Sequence, residues 1–384
     1  MPTCDALVVG LGAMGSAALY ELASRGVSVV GVDAHDPPHS LGSTHGRSRI
    51  IREAYFEHPS YVPLVRRAYA RWARLEQLSG AALFRRTGGL NIGPPGCELV
   101  AGALESASRH GIEIEVLTAA EIERRFPVLA IPDGMLGVFE HSAGVLFPEA
   151  CVAAYLSLAR ARGAEIRPNT SVISLARSGD AITATTNEGT ITARRVVVSA
   201  GAWTGPLMQA LGVTLPLDVT RQTMHWLAPR GDAAVRSPER FPVALIEHDV
   251  GRFVYTMPDF GDGVKVAIHH EGAVVGPDAV DREIHASDTQ PVAALAERFL
   301  PGAAGRIRES VVCLYTNTPD RDFILDVDDR APNVVIVSAC SGHGFKFASA
   351  IGEIAAQLAL GERSDVDLSH FRSNRFITRP GQVR

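Results

Sequence analysis

The run Ala6-Leu7-Val8-Val9-Gly10-Leu11-Gly12-Ala13-Met14-Gly15-Ser16-Ala17-Ala18-Leu19 decides the fold. Its four opening residues, apolar and partly β-branched, run into glycine and read as a buried strand. Gly10, Gly12 and Gly15 then follow in GxGxxG spacing and lead into an Ala-rich helix with Ala18, Leu19 and Leu22 at helical intervals. The three glycines meet three needs: a tight turn, backbone approach to a pyrophosphate, and close packing of helix on strand. An anion beside Met14 would meet the free N–H groups and positive dipole end of that helix. Gly26 is placed to close the helix, and Val27–Val32 reads as a second buried strand. Asp33, at its end, is placed to accept hydrogen bonds from a ribose diol. The unit reads as a dinucleotide site, although the fingerprint alone does not separate FAD from NAD.

Outward from this unit, Pro37-Pro38 opens a polar loop over 40–49, and helices are predicted over 61–78, 98–110, 119–126 and 148–162. Residues 88–93 read as a strand with turns. A hairpin is expected between 171 and 191, turning at Asn187-Glu188-Gly189, followed by a separate buried strand from Val196 that runs into Ala200 and Gly201, near Trp203. The stretch from 213 to about 316 is strand-like, with one helix near 292–299. Val334–Ser338 is a last buried strand, feeding Ser341-Gly342-His343-Gly344 and a long helix over 345–360. Three buried strands that run into glycines, widely separated in sequence, belong in one parallel sheet. The more alternating segments form a second layer. The expected division is a discontinuous nucleotide-binding domain of residues 1–80, 145–215 and 320–384, with a substrate domain of 81–144 and 216–319.

At 384 residues the chain is long enough for two such units. A net charge of −5 argues against a nucleic-acid surface, which needs a basic excess. Cys4, Cys97, Cys151, Cys313 and Cys340 are scattered, without a CxxC pair. They indicate neither a disulfide framework nor a metal site, and a reducing compartment is the simplest expectation. With no basic leader and no apolar stretch of membrane-spanning length, the expected location is the cytoplasm, away from membranes.

Three further motifs identify a resemblance. Gly42-Ser43-Thr44-His45-Gly46-Arg47-Ser48-Arg49-Ile50-Ile51-Arg52, Cys313-Leu314-Tyr315-Thr316 and Ser341-Gly342-His343-Gly344-Phe345-Lys346-Phe347 look like the monomeric sarcosine oxidase family, which includes N-methyltryptophan oxidase. The resemblance covers essentially the whole chain. It implies an α/β fold of the glutathione-reductase-like, amino acid oxidase type: a Rossmann-like FAD-binding domain with an inserted substrate domain on a mainly antiparallel sheet. It also implies a monomer with FAD joined covalently to Cys313 through an 8α-cysteinyl bond, oxidising a secondary amino acid with O₂ to an imine and hydrogen peroxide.

Carried over residue by residue, Arg52 and Lys346 match the pair that holds the substrate carboxylate. Lys265 matches the oxygen-activating lysine. His269 and Tyr255 match groups near the substrate amine, and Arg49 and His45 match residues around the flavin ring. Ser43, Thr44 and Ser48 share the loop motif, Tyr315 is expected to line the pocket, and Leu245 and the neighbourhood of Asn317 to shape its side-chain end. Gly342, His343 and Gly344 bring backbone toward the flavin. Cys340 matches no linking position and reads as structural. Thr44 replaces the first histidine of the family's usual His-His, Ser48 a common threonine, and Ser338-Ala339-Cys340 a small-residue and aromatic run. These departures leave the substrate side chain open.

Each residue also has a plainer reading. Cys313 fits a buried strand cysteine, His269 a satisfied strand histidine, Arg49 and Arg52 solvated loop arginines, and Lys265 a solvated strand lysine. For the arginines, the loop lies at the carboxyl edge of the sheet, where open α/β folds bind ligands, and the planar guanidinium suits a carboxylate. Lys346 stands at a helix start, where the dipole disfavours a cation, so an anion is expected beside it, and the substrate carboxylate is taken as that anion. Two other functions compete: an FAD dehydrogenase using an acceptor other than oxygen, and a flavoprotein subunit inactive by itself.

Overall fold

The glycine-rich turn stands where strand Cys4–Val9 hands over to helix Ala13–Ser24; the computed structural model describes residues 3–376. Gly10 has φ +87°, and a Cβ on Gly15 would lie 1.8 Å from the Gly10 carbonyl oxygen. Both positions therefore need glycine, one for the turn and one for helix-on-strand packing.

Strand Val29–Val32 lies parallel to Cys4–Val9 on one side, and Gly189–Val198 parallel on the other, with Val334–Ser338 parallel beyond. The widely separated buried strands thus share one sheet. The hairpin arm expected to end near 191 and the buried strand from 196 prove to be a single strand. Its first half pairs with Ala181–Thr186 and its last residues with Val334–Ser338. The apolar pattern changes along it because burial changes, from alternating to continuous, and not because the strand stops. Glu165–Arg167 adds a further parallel edge and is too short to show a period.

The second sheet takes the order 304–317, 218–229, 264–269, 252–257, 243–249, 89–93, 136–140, 115–118 and is antiparallel except between 89–93 and 243–249. Side chains alternate across a strand. Leu90, Ile92, Ala244, Ile246, Val254, Val264 and Val266 pack with Val292, Ala296 and Phe299 of helix Ala286–Phe299. The other parity, Asn91, Leu245, Tyr255, Lys265 and His269, occupies the opposite face. That helix starts six residues before the expected position because His285 and Asp288 form a capping box, and Pro291 is carried inside it.

The expected helix over 345–360 is a 3-10 turn, Phe345–Phe347, followed by helix Ala348–Ala359. The latter crosses Ala13–Ser24 at Gly352, where a Cβ would lie 2.3 Å from the Ala17 Cβ. Gly352→Val should cost about 1–3 kcal/mol through overpacking, read as a lower denaturant midpoint at unchanged slope. No helix among the described residues is long and apolar enough to cross a membrane.

Candidate active site

A cavity of about 660 Å³ is lined from the glycine-rich turn and Asp33 at one end to Arg52, Tyr255, His269, Tyr315 and Lys346 at the other. At the first end, Asp33 Oδ2 accepts from Leu11 N at 2.7 Å and Oδ1 from His35 N at 3.0 Å, with His39 Nε2 at 3.2 Å. Burial opposes this charge, but His39 and the two N–H groups hold the carboxyl below its ordinary range. Helix Ala13–Ser24 begins without a side-chain cap. Thr44 Oγ1 accepts from Ala13 N at 3.3 Å and ties the second loop to the first.

In the middle, the polar loop over 40–49 runs into a short strand, Arg49–Ile51, paired with Gly144–Leu146. This pairing fixes Arg49. Its Nη2 donates to the Ser43 carbonyl at 2.9 Å and lies 4.0 Å from Cys313 Sγ. Cys313 is buried opposite Gln222; burial pushes its thiol up, while Arg49 opposes that shift. Cys340, read from sequence as structural, also lines the cavity, and its Sγ lies 3.9 Å from Ser43 Oγ.

Lys265, Ser48, His45 and Gly15 do not line the cavity. Lys265 lies beneath the loop, 2 % exposed, with Nζ donating to the carbonyls of Gly46 (2.8 Å) and Ser48 (3.0 Å) and to Ser48 Oγ (3.3 Å). Burial, aided by Arg49, lowers its pKa well below that of an ordinary lysine. The plain reading of Lys265 as a solvated lysine is thereby excluded. His45 is buried, its Nε2 unpartnered, and burial and Arg49 pull it down to about 3. Asn317 also lies off the cavity and donates to Thr220 Oγ1 at 3.1 Å.

At the far end Arg52 is not free. Its Nη2 pairs with Glu57 at 3.0 Å, and its guanidinium lies over the rings of Tyr55 (4.8 Å) and Phe56 (4.9 Å). Lys346 Nζ donates to the His343 carbonyl at 2.7 Å and lies 5.1 Å from the Tyr55 ring. Burial and Arg52 pull Lys346 down to about 7. Glu57 is the anion near both cations. Burial disfavours its charge, yet Arg52, His343 and Lys346 hold its carboxyl below the usual range. His269 Nδ1 meets the Tyr315 hydroxyl at 3.1 Å; burial and His270 drive its pKa well below 6.5. Gly342 and Gly344 are required by the protein itself. A Cβ on Gly342 would meet Tyr315, His270 and His269 within 2.9 Å, and one on Gly344 the Ala339 carbonyl at 1.7 Å.

Sequence reasoning missed Glu57, Tyr55 and Asn91 at this end. Alternation alone would have found Asn91, which is in register with Leu245, itself in register with Tyr255.

The family model described as FAD dependent oxidoreductase matches residues 5–358. The chain belongs to this family. The oxidoreductase is 40% identical over 375 residues to the monomeric sarcosine oxidase of Bacillus sp. (strain B-0618), covering 97% of this chain and 96% of the relative. It is 36% identical to the N-methyl-L-tryptophan oxidase of Citrobacter koseri, covering 97% and 99%. A solved structure of NikD, an unusual amino acid oxidase essential for nikkomycin biosynthesis, superposes with a TM-score of 0.86 at 24% identity, covering 97% of this chain and 98% of that one; this likeness carries the fold. The cofactor of the family is FAD, and the residues present fit it: a helix N-terminus at the cavity, with Gly12 rather than a capping side chain at its N-cap, for a pyrophosphate, Asp33 for a ribose, and a long cavity reaching Cys313.

Proposed function

We propose that this oxidoreductase oxidises secondary α-amino acids, N-methyl or N-alkyl, at the C–N bond to an imine, passing the electron pair to O₂ to give hydrogen peroxide. Water then hydrolyses the imine to an aldehyde and the primary amino acid. The observation that carries this reading is that two buried basic side chains, Arg52 and Lys346, line one cavity with His269. Bound FAD supplies the two-electron acceptor for the amine and the donor for oxygen.

Arg52 and Lys346 hold the substrate carboxylate, which must compete with Glu57 for Arg52. His269, in the tautomer whose Nδ1–H donates to Tyr315, offers Nε2 as acceptor for the amine proton, and Tyr255 and Leu245 wall the amine's substituents. When protonated, Lys265 supplies positive charge from beneath the loop on the side where oxygen becomes reduced. Residues 1–80, 145–215 and 320–384 form the FAD-binding domain and 81–144 and 216–319 the substrate domain, with each lending side chains to the site; the outermost parts, 1–2 and 377–384, lie outside the described residues. The protein acts as a cytoplasmic monomer, and a screen of secondary amino acids for peroxide release tests the reading. Release from none of them, by yellow protein, would overturn it.

The covalent link belongs to the same proposal. A thiolate is the reactive form of cysteine, and Arg49 at 4.0 Å is the cation that favours it against burial. Acid-precipitated protein should stay yellow and carry the mass of FAD on the peptide containing Cys313. Cys313→Ser should release the flavin on precipitation; a white wild-type pellet under a yellow supernatant would show that no link exists.

A further inference from the structure

We propose that Glu149 is a positioning residue for Lys265, acting through the single peptide unit that joins Gly46 to Arg47. This rests on the reading of Lys265 as the oxygen-side cation. Glu149 lies in the first turn of helix Pro148–Ala161, behind Pro148, where the helix dipole favours a carboxylate. Its Oε1 accepts from Gly46 N at 2.8 Å and from Arg47 N at 3.0 Å. Gly46 and Arg47 have φ of 96° and 65°, a left-handed stretch that turns two successive N–H groups onto one anion. Arg47 pays for that conformation in strain that a non-glycine residue does not usually bear.

The peptide between them is loaded at both ends. Its N–H, on Arg47, donates to Glu149, and its carbonyl, on Gly46, accepts from Lys265 Nζ at 2.8 Å. Hydrogen bonds in a chain polarise one another, so a carboxylate on the N–H makes the carbonyl a better seat for an ammonium. Around Lys265 stand Arg49 and Arg47 on the loop, Glu149 on its helix and the Cys313 thiol, with His45 on the loop and the Trp226 ring 5.3 Å from Nζ. Arg47 is answered by Glu309 and Asp262. Glu149 is the carboxylate hydrogen-bonded to the peptide on which Lys265 rests.

Lys265 and Lys346 are the two lysines of the chain, so holoenzyme grown on isotope-labelled lysine gives two side-chain amine signals by NMR, assigned with Lys346→Met. In Glu149→Gln, which keeps an acceptor and removes the charge, the Lys265 midpoint should fall by about half to one pH unit while that of Lys346 holds. Glu149→Asp, which keeps the charge, should restore most of the shift. An unmoved Lys265 midpoint, or equal movement of both lysines, overturns the proposal. Reoxidation in air, measured beside Lys265→Met, separates it from the reading beneath. Glu149→Gln should slow reoxidation by about three- to tenfold where Lys265 protonation limits it. If Lys265→Met reoxidises normally, the oxygen-side role fails, while the NMR midpoints still judge Glu149.

Discussion

Lys265→Met should be bleached by substrate without oxygen at close to the parent rate, yet regain its colour in air about 10²–10³-fold more slowly. Oxygen acquires negative charge as it is reduced, and removing one preorganised group that meets such charge costs about that factor. The structure adds a competing effect. Lys265 satisfies the carbonyls of Gly46 and Ser48, and each buried acceptor left unpaired costs about 1–3 kcal/mol. A loop disturbed in this way would move Ser43 and Arg49 as well, and would slow bleaching and recovery together. Stopped-flow measurement of the two half-reactions separates the cases. Recovery unchanged with bleaching slowed would move Lys265 to the substrate side.

The second large effect concerns Lys346. Lys346→Met should weaken binding of a substrate carboxylate by about 1.5–3 kcal/mol, the range for charged hydrogen bonds, or roughly 10- to 150-fold in Kd. It should matter far less for the same amine without a carboxylate. The pH dependence has a definite sign. Burial and Arg52 pull Lys346 down to about 7, and a bound carboxylate raises that value because it favours the charged form. Binding therefore takes up a proton above about 7. Affinity should be level below that pH and fall above it, by up to about tenfold per unit, and Lys346→Met should lose the slope. Equal losses for substrates with and without a carboxylate would remove Lys346 from the site.

The fold was legible where local chemistry is specific. A strand, a glycine turn and a helix need residues 6–20 in that order, and Asp33 stands where such a unit places an acid. The union of Arg52, Cys313 and Lys346 at one cavity was legible through motifs, because each sits in a distinctive run. Less legible was what each group does with its free valences. Arg52 takes Glu57, five residues on, and nothing in the intervening sequence marks that pairing. Lys265 turns beneath the loop instead of into the cavity because three oxygens wait there. Glu149 stands 103 residues from Gly46, and only the fold brings it back. One sequence signal does survive. Of the 37 basic residues, Lys265 and Lys346 alone are lysines, and both are buried at this site. A flexible ammonium whose pKa shifts readily when buried differs from a guanidinium that stays charged, so two lysines among so many arginines mark positions where that difference matters.

The proposed reaction is tested most directly by an anaerobic spectral titration of the yellow protein with an N-methyl α-amino acid, followed by admission of air. Alongside run the primary amino acid and the N-methyl amine without its carboxylate. Oxidation of secondary amino acids with O₂ as acceptor predicts saturable bleaching by the N-methyl amino acid, little by the other two, and recovery in air with an equivalent of peroxide released. Bleaching by no secondary amino acid, or equally by the amine that lacks a carboxylate, would contradict it.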